Sequence, residues 1–281
     1  MKTLFVGDLH AKQKIILPFV QDVAMKHHVN QIVFMGDYVD EFTLNSEDCV
    51  EALQFHIDWV SKLPDYVNVI HIIGNHDACY IDTKTRNTAS GHNYDKEDEI
   101  HDLLSKLPNL VPSHHVGKYL ITHGGVTQNW LNDVKYDMDV NPEELSKFIN
   151  TLYCEKGVDV LNTCGPYREG YDPCSGPFWT DVRELVEFGV SVNQIVAHTP
   201  VDAIRTYRRA DGTLVTDVDT FSCNIYGYPK SSASILLYDS DSDKKHNVPF
   251  CSEAGSSYKE ACRPLYEKFE LDMYSMLSEG V

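Results

Sequence analysis

The stretch Val67-Asn68-Val69-Ile70-His71-Ile72-Ile73-Gly74-Asn75-His76-Asp77 decides how this chain is read. Its first seven residues form a short apolar run rich in β-branched side chains. Such runs are the pattern of a strand buried on both faces. The run stops at a glycine, and an amide, an imidazole and a carboxylate follow in one turn. These are oxygen and nitrogen donors of the kind that borderline divalent cations take.

The same arrangement recurs along the first two thirds of the chain. Residues 3–6 lead into Gly7-Asp8, and residues 31–35 into Gly36-Asp37. Residues 119–122 lead into His123-Gly124-Gly125, and residues 194–197 into His198. Helical patterns lie between the runs, at 15–26 and 45–62, with Asn45 or Ser46 as N-cap and acids in the first turn of the second. Asn141-Pro142 starts another, with proline at the first helical position. Strand-helix alternation predicts an α/β fold, a largely parallel sheet covered by helices. In such sheets the carboxyl ends of the strands converge on a site. Each of these motifs stands at such an end.

Further strands are expected within 213–239, around Asp217-Val218-Asp219 and the run 233–238, and a polar turn at 240–245. Ser257-x-x-Glu260 is a capping box. Behind it Tyr258, Cys262, Leu265, Phe269, Met273 and Met276 recur at intervals of three or four. That stripe predicts a C-terminal amphipathic helix over about 256–278, packed on the parent domain. No repeat or linker interrupts the chain, so residues 1–281 are expected to form a single domain.

Composition narrows the function. The 281 residues carry a net charge of −18, which disfavours binding to nucleic-acid backbones. The longest apolar runs are far short of the roughly 20 residues that span a bilayer, so no membrane contact is expected. The N-terminus enters a strand at once, without a signal peptide's apolar core, and a cytoplasmic location is expected. Eight cysteines occur without a C-x-x-C pair. Reduced structural thiols are expected rather than a zinc clip at Cys154, Cys164 and Cys174.

Five motifs carry the chemistry. Asp8-x-His10 puts a carboxylate and an imidazole on one side of a strand end. Taken alone it is also a common loop sequence. Gly36-Asp37-Tyr38-Val39-Asp40 puts two carboxylates after a buried strand, with Asp37 placed to bridge two cations. Asp40 could instead cap a helix or serve the turn, the lesser of its two readings. Gly74-Asn75-His76-Asp77 is the most specific of the five. His123 and His198 add one imidazole each after an apolar run.

The ordered set D-x-H, G-D-x-x-D, G-N-H-D, H-G-G and A-H-T, spread over residues 8 to 200, resembles the calcineurin-like metallophosphoesterase superfamily. The H-G-G and A-H-T-P segments are similar to its serine/threonine phosphoprotein phosphatase branch, which also includes diadenosine tetraphosphatases. The resemblance implies a sandwich of mostly parallel or mixed β-sheets flanked by α-helices. It implies two divalent metal ions: Asp8, His10 and Asp37 on the first; Asp37, Asn75, His123 and His198 on the second. Manganese is the expected metal, with iron, zinc or nickel as alternatives. It makes His76 the general acid, oriented by Asp40. Two ions about 3.5–4 Å apart can share a water and lower its pKa.

The sequence departs from the branch at Glu41-Phe42, where many members read Arg-Gly. The arginine expected there is missing, and Glu41 would repel a dianionic phosphate if it faced the site. Asp77 stands where a glutamate is usual, and Pro200 where other superfamily members place a second histidine. Arg168 and Arg183, the latter behind Phe178-Trp179-Thr180-Asp181, are the replacement phosphate-binding candidates, and either could equally be a surface arginine. The leading expectation is a phosphatase acting on phosphoprotein or a small phosphate ester. A dinucleoside polyphosphate hydrolase such as a diadenosine tetraphosphatase is the alternative. A nuclease is disfavoured by charge, and a metal-free scaffold by retention of the full ligand set.

Overall fold

The computed structural model describes residues 1–85, 87–137, 140–252 and 255–267. Two mixed β-sheets stack face to face, with helices on the outer side of each. The first sheet contains β1 (Lys2–Val6), β2 (Gln31–Phe34), β3 (Asn68–Ile72), β4 (Leu110–Val111), β10 (Ser234–Asp239) and β11 (Lys244–Pro249), in the order β11-β10-β1-β2-β3-β4. The second contains β5 (Ser113–Val116), β6 (Tyr119–Thr122), β7 (Asn193–Val196), β8 (Arg205–Arg208) and β9 (Leu214–Asp217), in the order β5-β6-β7-β9-β8.

The period of two in a strand builds the layers. Leu4, Val6, Ile32 and Phe34 face outward, under α1 (Gln13–His27) and α2 (Ser46–Val60). Their neighbours Phe5, Val33 and Met35 face inward and pack with Ile121, Ile195, Ala197 and Val218 from the second sheet. Outside that second sheet, Leu120 packs with Leu145 and Ile149 of α6 (Pro142–Lys156). Because β1, β2 and β3 are parallel, as are β6, β7 and β9, their carboxyl ends lie at one rim of the sandwich.

Local sequence sets the helix starts. Asn45 accepts the Asp48 N–H at 2.8 Å while Asp48 answers the Asn45 N–H, a reciprocal cap at the head of α2. Asn141 accepts the Glu144 N–H at 3.0 Å, with Pro142 at the first helical position of α6.

One expectation needs correction. The expected polar turn at 240–245 runs into β11, a polar edge strand paired with β10. The turn after β3 runs directly into α3 (Asn75–Ile81), with Gly74 as its N-cap. The sheets are mixed, as the resemblance implies: β1–β10, β10–β11, β5–β6 and β8–β9 are antiparallel.

The C-terminal capping box heads α8 (Tyr258–Ala261), and Tyr258 and Cys262 are buried against the first sheet's helical layer. Phe269, Met273 and Met276 lie outside the described residues. Among the described residues no helix is long and apolar enough to cross a membrane, and none of the cysteines is paired.

Candidate active site

Two glycines let the strand ends close on one another. Gly36 adopts a φ of +106°, and a Cβ there would stand 2.7 Å from the Gly74 nitrogen and 2.9 Å from His123 Nδ1. A Cβ on Gly74 would stand 2.1 Å from Asp37 Oδ1. No side chain fits either position, so the second and third motifs meet backbone to backbone. Asp77 locks that meeting. Its carboxylate accepts N–H groups from Asp37 at 2.8 Å, Tyr38 at 2.9 Å and Gly74 at 2.9 Å.

The backbone is strained where the polar side chains project. His10, Asp37, Asp40 and His198 have φ of 41°, 51°, 65° and 68°. Non-glycine residues seldom occupy this region, and they concentrate at functional sites when they do.

Backbone carbonyls fix the rings of two histidines. His123 Nδ1 donates to the Met35 carbonyl at 2.7 Å, and His10 Nδ1 sits 3.1 Å from the Asp40 carbonyl and 3.2 Å from that of Val39. A carbonyl only accepts, so the proton belongs on Nδ1 and the Nε2 lone pair is left for the cavity. His123 Nε2 then faces oxygens, Asn75 Oδ1 at 3.0 Å and Asp37 Oδ2 at 3.3 Å. His10 Nε2 lies 3.8 Å from Asp37 Oδ2 and 4.0 Å from Asp8 Oδ2. Among the described residues His198 Nε2 is buried without a hydrogen-bond partner.

Donor atoms of His10, Asp37 and His76 lie within 4.8 Å of one another, as do those of Asp37, His123 and His198. Asp37 belongs to both groups. Asp8 sits beside them, accepting the His198 N–H at 3.4 Å.

Charge makes the same demand as geometry. Burial raises the Asp8 carboxyl well above its usual range, and Asp219 and Asp37 add to the shift. Burial also works against a charged Asp37, but His123 and His76 hold it well below the usual range. Burial lowers His10 to about 3, reinforced by His76, and lowers His198 well below its usual value, reinforced by Arg168. Converging lone pairs, buried carboxylates in mutual repulsion and an unpartnered imidazole nitrogen are a donor set suited to divalent cations.

Residues 1–202 match the profile of the calcineurin-like phosphoesterases, well over half of the chain. The chain belongs to that family. Among solved structures, a cold-active protein-tyrosine phosphatase of a psychrophilic Shewanella species superposes with a TM-score of 0.53 at 14% identity, over 88% of this chain and 80% of its own. A 1.1 Å structure of a cold-active protein tyrosine phosphatase gives 0.53 at 15% identity, over 91% and 80%. At this identity the likeness speaks for the fold. No curated protein sequence matches the chain.

In this phosphoesterase His76 has a partner that sequence reasoning supplied, and that partner has two that it did not. His76 Nδ1 donates to Asp40 Oδ2 at 2.9 Å. The other oxygen of Asp40 accepts the Tyr80 hydroxyl and, at 2.9 Å, the Asn93 side-chain amide. Burial disfavours a charged His76, yet Asp37 and Asp40 outweigh it and raise the ring to about 9. Nothing in the sequence marks Tyr80 or Asn93, because their role depends on contacts 40 and 53 residues away.

The basic side chains divide. Arg168, on the turn Pro166–Arg168, lines the cavity with His10, Asp37, His76 and His198. Its Nη2 donates to Thr199 Oγ1 at 2.8 Å and to the His198 carbonyl at 3.1 Å, and it pairs with Asp181 at 3.1 Å. Arg183 is not brought to the cavity. Its side chain is 70% exposed, holds Asp181 at 2.8 Å and lies over the Tyr167 ring. Lys230, which sequence reasoning passed over, also lines the cavity. Glu41 lines the cavity too, but not as a free charge, because Lys12 Nζ pairs with it at 2.8 Å.

Proposed function

We propose that this chain, read as one domain over residues 1–281, is a two-metal phosphomonoesterase acting on phosphoprotein or a small phosphate ester. The observation that carries the reading is Asp37, one carboxylate common to two groups of converging donors. Asp8, His10 and Asp37 would hold one cation; Asp37, Asn75, His123 and His198 would hold the other. Manganese, iron, zinc or nickel suits this mixture of oxygen and imidazole donors. Divalent cations bound there supply Lewis acidity to the phosphate oxygens and to water.

The protein's own groups do the rest. Asp40 accepts the Nδ1 proton of His76, which leaves Nε2 to carry a proton toward the leaving oxygen. Tyr80 and Asn93 hold Asp40 in that orientation. Arg168 stands in the cavity wall as the cation nearest the role of the missing family arginine, with Lys230 as a second. Unpaired thiols throughout fit a reducing compartment such as the cytoplasm.

The test is a substrate panel with manganese-reconstituted protein: a phosphopeptide, an aryl monoester, an aryl diester and diadenosine tetraphosphate. The two monoesters are expected to turn over fastest by kcat/KM. A higher value for the diester or the dinucleotide would overturn the monoesterase reading.

A further inference from the structure

One buried ammonium joins two of the loops that carry metal-ligand candidates. Lys12, two residues past His10, is only 1% exposed. Its Nζ donates to Glu41 Oε2 at 2.8 Å and to the His10 carbonyl at 3.1 Å. Glu41 follows Asp40 directly and is itself buried. Lys12 thus ties the loop behind β1 to the loop behind β2, at the backbone of His10. Among the described residues Glu41 Oε1 is buried without a hydrogen-bond partner, so Lys12 is what holds this carboxylate.

The turn held in this way is strained. His10 and Ala11 have consecutive φ values of 41° and 55°, a region that residues with a Cβ seldom occupy. The peptide between them is gripped at both ends. The Ala11 N–H donates to the Tyr38 carbonyl at 3.1 Å, and the His10 carbonyl accepts from the Lys12 ammonium. The ring is gripped as well, with Nδ1 at 3.2 Å from the Val39 carbonyl and 3.1 Å from that of Asp40. Val39, Asp40 and Glu41 are therefore three successive residues that fix His10, the third of them through Lys12.

Stability alone is a poor reason for such a pair. Desolvating two charges offsets their attraction, and two apolar side chains of similar volume are often as stable or more so. An apolar pair cannot, however, hold the His10 carbonyl. Resting on the two-metal reading above, we infer that Lys12 and Glu41 are positioning residues for the first cation. Lys12 clamps the His10 turn so that Nε2 faces Asp8 and Asp37, and Glu41 holds Lys12 in place. Groups that orient a metal ligand in this way typically contribute about 10- to 100-fold to metal affinity.

The experiment titrates the metal-free full chain with manganese and reads bound ion at equilibrium. Lys12→Met combined with Glu41→Leu removes the clamp and leaves an apolar pair, so its urea midpoint should stay near that of wild type. Against a His123→Ala background, which spares the first site, this pair of changes should weaken the remaining ion by about 10- to 100-fold. Against a His10→Ala background, which spares the second site, the same pair should leave the Kd within about twofold. Glu41→Gln keeps an oxygen for the ammonium, and so should cost the first site about threefold or less. Glu41→Gln remains informative even if the apolar pair fails to fold. An unchanged first-site Kd in the apolar pair, an equal loss at the second site, or a loss in Glu41→Gln as large as that expected of the apolar pair would each overturn the positioning role. Fewer than two ions on the wild-type chain would overturn the two-metal reading itself, and the positioning role with it.

Discussion

The Nδ1 atom of His76 lies 2.9 Å from Oδ2 of Asp40, and the other Asp40 oxygen is held by Tyr80 and Asn93. A ring so anchored would deliver a proton along one direction, if His76 is the proposed general acid. General acid assistance is typically worth about 10²–10⁴-fold, and most when the leaving group is a poor one. His76→Asn is therefore expected to lose about 10²-fold or more on phosphoserine and far less on nitrophenyl phosphate, with its metal content intact. Asp40→Asn should follow the pattern more weakly. Equal losses on both substrates would remove the acid role. Lost metal would make His76 a ligand, which its distance from His10 and Asp37 also permits.

Arg168 and Arg183 both pair with Asp181, but Arg168 lines the cavity and is 24% exposed, whereas Arg183 points away. A charge-assisted hydrogen bond is worth about 1.5–3 kcal/mol. Arg168→Ala should lower kcat/KM for a phosphopeptide by about 10- to 100-fold, and Arg183→Ala by less than about threefold. Steady-state kinetics on the two variants decides which arginine serves the substrate.

Asp77 accepts three buried backbone N–H groups and so joins two motifs that each carry a proposed metal ligand. Asparagine keeps one acceptor oxygen and turns an NH₂ toward the remaining donors. Leaving a buried donor unsatisfied costs about 1–3 kcal/mol. Asp77→Asn should lose about 2–3 kcal/mol of unfolding free energy in urea, whereas an unchanged midpoint would mean that the three bonds are dispensable.

The strand ends were legible because strands buried on both faces carry unbroken apolar runs, and polar side chains stand out at once after β1, β2, β3, β6 and β7. Edge strands lack that signal. β8 (Arg-Thr-Tyr-Arg) and β11 (Lys-Lys-His-Asn-Val-Pro) are largely exposed and pair on one side only, so neither carries an apolar run, and the start of β11 falls in the stretch read as a polar turn. The scaffold role of Asp77 was hidden for another reason. Its Asp37 and Tyr38 partners are about forty residues away, beyond any local pattern. Lys230 was missed likewise, because its loop reaches the cavity without a motif, while Arg183 follows one and ends outside it.

Two histidines remote from the site make stability depend on pH. His71 Nδ1 donates to the Pro108 carbonyl at 2.6 Å, and its Nε2 accepts from His56 Nε2 at 3.1 Å, so His71 cannot take a second proton without breaking that contact, while a second proton on His56 would go to its Nδ1, buried without a hydrogen-bond partner among the described residues. Burial lowers His71 to about 4, and burial with His71 lowers His56 well below its usual value. Both folded pKa values lie below the unfolded one near 6.5. As pH falls from about 6.5 toward 4 the unfolded chain gains protons that the folded one refuses, and stability is lost over that window. For His71 alone the loss is about 2 kcal/mol between pH 7 and pH 5. Urea titrations at both values should show this loss in the wild type and a smaller one in a His56→Phe, His71→Phe variant. Equal losses would exclude the pair as the cause.

Equilibrium metal content tests the proposed bridging role of Asp37 most directly. Wild-type protein dialysed against manganese should hold two ions per chain by elemental analysis. Asp37→Asn should hold fewer than one under the same conditions, because one carboxylate serves both donor groups, while His123→Ala should keep at least one. Two ions retained in Asp37→Asn, or at most one ion in a fully active wild type, would contradict the two-metal centre built on Asp37.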